Sequence, residues 1–259
     1  MNHAMSSSHN YKKLELNDIN INIFESVNLD NLIINLLSDN TSSQFITLNL
    51  DFLRISESNS EFKSICRSSN IIVPDGVGVI FLLKLKYRGK IAKVTGNDIF
   101  NSCLDIANRI SLKVGTVGGS EYTINELNKR IKNKYPNINL KSISPKLNFE
   151  TDPEVNKKVV DEMKNFSPDM LFVAMGCPRQ EKWIHAHKND IGAKINVGVG
   201  AVFDFYTGTK RRAPQIFIDL WMEWFWRMLH EPLRLGKRYL LLDVPFLIKM
   251  TFKVLFGLK

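Results

Sequence analysis

Residues Met170–His187, MLFVAMGCPRQEKWIHAH, decide the fold of this chain. Met170–Ala174 is a short, unbroken apolar run bounded by small residues, the signature of a strand buried on both faces. Gly176-Cys177 is a turn. Pro178 suits a first helical position, where its missing N–H is not needed. Pro178–His187 then reads as a helix, so the stretch is strand, tight turn, helix.

The same beat extends in both directions. Gln44–Leu48, Asn70–Val73, Lys113–Val117 and Ile195–Val199 are further short apolar runs, and Asn139–Ile143 is a weaker one. Longer amphipathic stretches alternate with them at Gly76–Tyr87, Asp98–Arg109, Glu121–Lys134 and Pro153–Phe166. Ile124, Leu127 and Ile131 stand at helical spacing. Strand alternating with helix predicts an α/β fold, a Rossmann-like, mostly parallel sheet flanked by helices. After Gly208 the texture changes: Lys210–Pro214 is followed by an aromatic-rich stretch, Ile216–Leu229, and then a basic apolar tail with no strand pattern. The expected organisation is a disordered N-terminus over 1–12, an α/β catalytic domain over 13–208, and a helical, membrane-associating appendage over 209–259.

Composition narrows the function. With 259 residues, 44% hydrophobic and 24% charged, the chain is long enough and apolar enough to bury a core unaided. Cys66, Cys103 and Cys177 form no CxxC pair, which argues against a disulfide scaffold or zinc ribbon and for a reducing compartment. No DxD dipeptide and no His/Cys/carboxylate cluster at ligand spacing is present, so metal-independent chemistry is expected. His185 and His187 lie two residues apart on one helix and face different ways, His230 stands alone, and His3 and His9 belong to the N-terminal stretch. The net charge is +9, and ten basic against four acidic residues fall within 210–259. Such an excess fits a phosphate-rich partner. Tyr239–Leu258 is interrupted by Asp243, Pro245, Lys249 and Lys253, too charged for a membrane span. It reads instead as a basic amphipathic segment for an anionic membrane surface, or as a helix packed on the body or on a second subunit.

The strand ends carry the polar residues. In an open parallel sheet ligands bind beyond the carboxyl ends of the strands. Those ends here hold Thr47 and Asn49, Asp75 with Gly76 and Gly78, Gly118-Gly119, Gly176 to Glu181, and Gly198-Val199-Gly200 with Asp204. Glycines there admit a phosphate close to the backbone, or simply make tight turns. Asp75 is placed to be a general base or a helix cap. Asp98 shares that ambiguity, whereas Asp204 has no evident capping role. None of the glycine groups completes a dinucleotide fingerprint and there is no Walker A motif. An NAD-type oxidoreductase is therefore the weaker alternative. So is a non-catalytic basic membrane- or nucleic-acid-binding module: the tail's apolar density favours lipid over nucleic acid, and a pure membrane-binding protein would not need the polar set at the strand ends.

These residues together resemble the WecG/TagA/CpsF glycosyltransferases, from Thr47 to Tyr239. The run Met175-Gly176-Cys177-Pro178-Arg179-Gln180-Glu181-Lys182-Trp183 is similar to that family's G-x-P-[KR]-Q-E-x-W signature. Pro74-Asp75-Gly76, Val94-Thr95-Gly96-x-Asp98, Val197 to Asp204, Arg212-Ala213-Pro214, Glu223-Trp224, Glu231-Pro232-x-Arg234 and Arg238-Tyr239 follow the family order. The resemblance implies an inverting, metal-independent transfer of a sugar, N-acetylmannosamine being expected, from a UDP donor to a polyprenyl-diphosphate-linked GlcNAc. That work belongs to cell-wall or surface polysaccharide synthesis on the cytoplasmic face of the membrane. It implies Asp75 as base, with Thr47, Asn49 and Gln180 beside it. It places donor and diphosphate binding at Gly76, Lys93, Asp98, Gly118, Gly119, Gly176, Pro178, Arg179, Glu181, Gly200, Asp204, Arg227, Arg234 and Arg238. Lys93 stands where relatives often carry Arg. UDP-sugar is then a substrate, no cofactor or metal is expected, nucleic acid is not a partner, and a homo-oligomer is expected by likeness alone.

Overall fold

The computed structural model describes residues 11–24, 28–39 and 41–257. The expected N-terminal stretch therefore lies outside the described residues up to position 10, but its boundary at 12 is too late, because strand β1 (Lys12–Leu16) already starts there. β1 forms an antiparallel hairpin with β2 (Ile19–Ile23). Asn17 and Asp18 turn it with φ of 54° and 61°, a left-handed pair that Asn and Asp tolerate best among non-glycine residues.

The expected α/β sheet is present. Helix α1 (Leu29–Ser38) precedes β3 (Ser43–Leu48). Then come α2 (Leu50–Ser58), α3 (Ser60–Ser68), β4 (Ile71–Pro74), α4 (Val77–Lys86), α5 (Gly96–Arg109), β5 (Lys113–Gly118), α6 (Glu121–Lys134), β6 (Asn139–Ile143), α7 (Pro153–Phe166), β7 (Met170–Ala174), α8 (Arg179–Ile191), β8 (Ile195–Gly198) and α9 (Val202–Thr207). Six strands pair in the order β4-β3-β8-β7-β5-β6, and every pair is parallel. All six carboxyl ends therefore open on one edge. The chain moves outward from β3 to β4 and from β5 to β6, so its direction reverses between β3 and β5, the crevice where α/β sheets take ligands.

Alternation along each strand feeds two layers. Phe45, Val73, Phe172 and Val197 pack with α1, α5 and α6 on one face. Ile46, Leu48 and Ile72 pack with the hairpin and α2–α4 on the other, while Leu171 and Val173 meet α7 and α8. The hairpin protects an edge of the sheet: buried Asn22 on β2 accepts a 2.7 Å bond from the Ile72 N–H of β4. Asn59 ends α2 and caps α3, accepting from Phe62 N–H at 2.9 Å.

Beyond position 209 the described residues form no strand. They form α10 (Gln215–Asp219), α11 (Glu223–His230), a π-helical stretch Pro232–Asp243, and α12 (Val244–Phe256). None of the described helices is long and apolar enough to cross a membrane. The tail packs on the body through buried Phe246 and Met250, which join the α2–α4 core. Its other face remains exposed at Ile248, Phe252, Leu255 and Phe256.

Candidate active site

The β3–β4 pairing sets the site. Thr47 lies opposite Val73 and Leu48 opposite Pro74. The chain continues the ladder one residue further, where Asp75 N–H donates to Leu48 O at 2.8 Å. Gly76 then takes φ +81° and is the N-cap of α4, with no side chain capping that helix. Asp75 is therefore not used as a cap, the simpler of its two sequence readings. Its carboxylate accepts no hydrogen bond among the described residues. Burial raises it to about 7; Lys93 works against that rise, Glu223 and Asp98 add to it, and Arg227 opposes it. The residue is still partly exposed, so this is the floor of a cleft rather than a sealed interior.

The charges around Asp75 come from distant parts of the chain. Lys93 precedes Val94, whose N–H donates to Pro74 O at 3.1 Å and so ties that segment beside Asp75. Asp98 is the partner of Thr95 in a capping box that starts α5, as the cap reading of that residue expects, yet its charge reaches Asp75. Glu223 and Arg227 stand one helical turn apart on α11. Glu223 receives two cations: Lys93 Nζ at 4.0 Å and Arg212 Nε at 3.7 Å. The Lys93 ammonium lies 5.7 Å from the ring centre of Trp221, which holds a φ of 62° at the corner between α10 and α11. The Arg227 guanidinium rests over Phe205 at 5.6 Å. The C-terminal helices thus close over the cleft. Arg212, Glu223 and Trp221 were not among the expected site residues; Arg212-Ala213-Pro214 and Glu223-Trp224 stood out as motifs, but nothing in their spacing shows that they fold back on Lys93.

Gln180 braces the two loops next to this cleft. Its buried Oε1 accepts from Gly176 N–H at 3.1 Å and Gly200 N–H at 2.9 Å, and its Nε2 donates to Glu181 Oε1 at 2.6 Å. One side chain therefore fixes the loops after β7 and β8, and Glu181 fixes which way the amide points. A Cβ on Gly198 would come within 2.6 Å of Glu181 Oε1 and 2.7 Å of Gln180 Nε2, so that strand end has room only for glycine. Glu181 is buried and raised to about 7 by that burial, against the Gln180 bond, its own backbone N–H and Cys177. α8 begins at Arg179 with Pro178 as its N-cap, one residue later than expected, and it runs on to Ile191.

The remaining candidates divide between the cleft rim and local structure. Thr47 is 9% exposed at the end of β3. Asn49 caps α2, accepting from Phe52 N–H at 3.1 Å, and lies against Gly76. Gly118 and Gly119 take φ of +97° and +80° after β5, and α6 itself starts behind the cap Ser120. Helices α6 and α8 thus begin three residues after Gly118 and Gly176, respectively. Asp204, which has no evident cap role in sequence, accepts from Thr123 Oγ1 at 3.2 Å and faces Lys210 Nζ at 3.5 Å, joining α9 to α6. Three of the arginines already hold carboxylates. Arg179 forms a two-pronged pair with Glu150, and Arg234 pairs with Glu231. Arg238 reaches Asp51 Oδ2 at 3.4 Å and Asp243 Oδ2 at 3.6 Å, sharing both carboxylates with Arg54. His187 lies tilted against Trp183 at 5.2 Å between ring centres, and His230 bonds to Trp226 O. No group of three or more His, Cys, Asp or Glu among the described residues has the arrangement to hold a metal ion.

The arrangement offers one raised carboxylate in a half-open cleft, faced by fixed cations, at the carboxyl edge of a parallel sheet. That suits deprotonation of a hydroxyl beside a leaving group of high negative charge. The comparisons with known proteins agree in kind. The model of the glycosyl transferase WecG/TagA/CpsF family matches residues 15–259. A Bacillus spizizenii protein named N-acetylglucosaminyldiphosphoundecaprenol N-acetyl-beta-D-mannosaminyltransferase is 30% identical over 217 residues, 84% of this chain and 81% of that one. Proteins of the same name from Bacillus subtilis (strain 168) and Staphylococcus aureus (strain MW2) are each 30% identical, over 188 and 204 residues. They cover 73% and 77% of this chain, and 72% and 77% of their own.

Proposed function

The chain belongs to the WecG/TagA/CpsF family of glycosyl transferases, and from that premise we propose that it moves N-acetylmannosamine from a UDP donor onto GlcNAc carried by a polyprenyl diphosphate. The names of the relatives support the donor sugar and the acceptor. The observation that carries the mechanism is Asp75: a carboxylate raised to about 7, uncommitted to any cap, facing Lys93 and Arg227.

In this reading Asp75 takes the proton from the acceptor hydroxyl as its oxygen attacks the anomeric carbon. The bond from that carbon to the β-phosphate oxygen breaks, UDP leaves with the electron pair, and attack opposite the leaving group inverts the centre. Lys93, Arg212 and Arg227 meet the charge that develops on the diphosphate, so the reading gives no role to a metal ion. Lysine supplies charge there without the paired donors of arginine, and Arg212 on the other side of Glu223 makes up the difference. Gln180 holds the Gly176 and Gly200 N–H groups in place. The tail, with Leu240, Leu241, Ile248, Phe252, Leu255 and Phe256 exposed, lies on the cytoplasmic face of an anionic membrane.

The test is release of UDP from a panel of UDP-sugars, with a short-chain prenyl-diphosphate GlcNAc acceptor and EDTA present. Acceptor-dependent release with the N-acetylmannosamine donor is expected. Asp75→Asn should lower kcat by about 10²–10⁴-fold. Near-wild-type turnover in that variant removes the base role, and dependence on added divalent metal removes the metal-free mechanism.

A further inference from the structure

The exposed side of α4 carries an apolar row that the core does not use. Val79, Ile80, Leu82 and Leu83 are buried, whereas Val77, Phe81 and Leu85, at spacings of four, are 42%, 44% and 37% exposed. The row starts two residues after Asp75 and runs about 12 Å along the helix, at 1.5 Å per residue. It ends at cations. Lys84, on the same side of α4, and Arg88 and Lys90 in the segment that follows line an open concavity of about 580 Å³ together with Tyr87, Gly89 and Ile91. Lys84, Arg88 and Lys90 have no carboxylate or hydrogen-bond partner among the described residues. By contrast Lys249 and Lys253 on α12 both pair with Glu57. The spare positive charge of this region is therefore on the α4 side. α12 packs beside α4, and its own exposed residues Ile248, Phe252 and Phe256 repeat the spacing of four.

We propose that α4 is a membrane-docking helix: Phe81 and Leu85 enter the interfacial layer while Lys84, Arg88 and Lys90 hold the phosphate of an anionic lipid headgroup. Apolar residues backed by unpaired cations match a surface that is apolar below and anionic above. The consequence for catalysis rests on the proposed function. Because Gly76, the residue after Asp75, caps α4, a bilayer along the outer side of that helix lies next to Asp75. The hydroxyl of a lipid-linked sugar then reaches the base without leaving the interface, and α4 acts as a spacer between headgroup site and base.

The experiment is flotation of the full chain with vesicles of phosphatidylcholine, with and without phosphatidylglycerol. Lys84→Ala/Arg88→Ala/Lys90→Ala should weaken partitioning onto the anionic vesicles by roughly 100-fold, near fivefold per cation. It should leave binding to phosphatidylcholine alone, and turnover of a water-soluble acceptor, unchanged. Phe81→Ser/Leu85→Ser should weaken binding to both kinds of vesicle. Unchanged partitioning of the triple variant onto anionic vesicles overturns the headgroup site. If the serine pair instead turns a dimer into a monomer in sedimentation and leaves flotation intact, the α4 row faces a second copy and the proposal is wrong. Partitioning is read without turnover, so an inactive wild type would count against the transferase reading and not against this one.

Discussion

Two acids with similar raised values have opposite meanings. Asp75 is raised although partly exposed, and in the proposed role of base it must be ionised. The acid limb of kcat/KM should therefore fall near pH 7. Lys93→Met removes a charge that opposes the rise and should move that limb to higher pH, while Glu223→Gln removes one that adds to it and should move the limb lower; initial-rate pH profiles of the two variants check the pair of signs. Glu181 is sealed, with Oε1 bonded to Gln180 and Oε2 without a partner. Its folded-state value lies above the ordinary carboxylate range, so the folded state favours the protonated acid. Stability is then highest below about pH 4.5 as far as this group is concerned, and falls as pH rises toward and through 7, where the chain must bury a charge. Glu181→Gln keeps an acceptor for Gln180 and removes that charge. Relative to wild type it should gain on the order of 1–3 kcal/mol between pH 5 and pH 8, read from denaturant midpoints at both pH values. A pH-independent difference would show that Glu181 is not the group responsible.

Among the elements, strand ends and the turns after them decide what the cleft admits. At Gly118 an added Cβ would stand 2.3 Å from Ala174 O, a backbone atom, at a φ of +97°. Neither strain has a flexible side chain to absorb it, so Gly118→Ala should cost roughly 2–4 kcal/mol, measured by urea unfolding. Gly176, with φ +82° and nothing within 4 Å of the Cβ position, should suffer the backbone strain alone and lose less. Much of this level was legible in sequence. Met170–Ala174, Asn139–Ile143, Glu121–Lys134 and Pro153–Phe166 have the bounds that periodicity predicts, because their apolar residues repeat with the period of the element. The β1–β2 hairpin carries no such signal at its turn. Its turn, Asn17-Asp18, lacks the glycine that marks the common two-residue hairpins, although Leu14-Glu15-Leu16 and Ile19-Asn20-Ile21 alternate on either side. Nor does the apolar period single out α1, α2 or α3; for α2 and α3 a single Asn serves as the end of one and the start of the next.

For the whole molecule, the C-terminal helices complete the cleft rather than standing apart from it. They deliver Glu223 and Arg227 to Asp75, with Arg212 paired to Glu223, and lock to α2 through the Arg54, Asp51, Arg238 and Asp243 cluster. Asp243 is held above the ordinary carboxylate range by burial, with Asp51 adding to it and Arg238 opposing it. Truncation after Thr209 strips these charges from the cleft, uncovers Phe246 and Met250's place in the core, and should lower UDP release by at least about 10²-fold, as expected when a preorganised charge cluster is lost. Retained turnover in the truncated chain would mean that the sheet domain holds the leaving group alone.

The amino-acid sequence by itself determined the alternation of strand and helix, the parallel sheet, the polar strand ends and the family, because these follow from local period, turn chemistry and ordered motifs. It also brought Asp75 forward as the base candidate, since a strand end flanked by Pro and Gly is readable locally. Only the tertiary structure decided that Asp75 is not a cap, that Asp98 closes the capping box of Thr95, and that Gln180 spans two loops. Only it brought Lys93 to Glu223, 130 positions apart, and turned Arg179, Arg234 and Arg238 toward carboxylates of the chain itself. The reason is physical: the pKa of a carboxylate and the partner of a cation depend on what lies within a few ångströms in space, and sequence spacing does not carry that distance beyond one element.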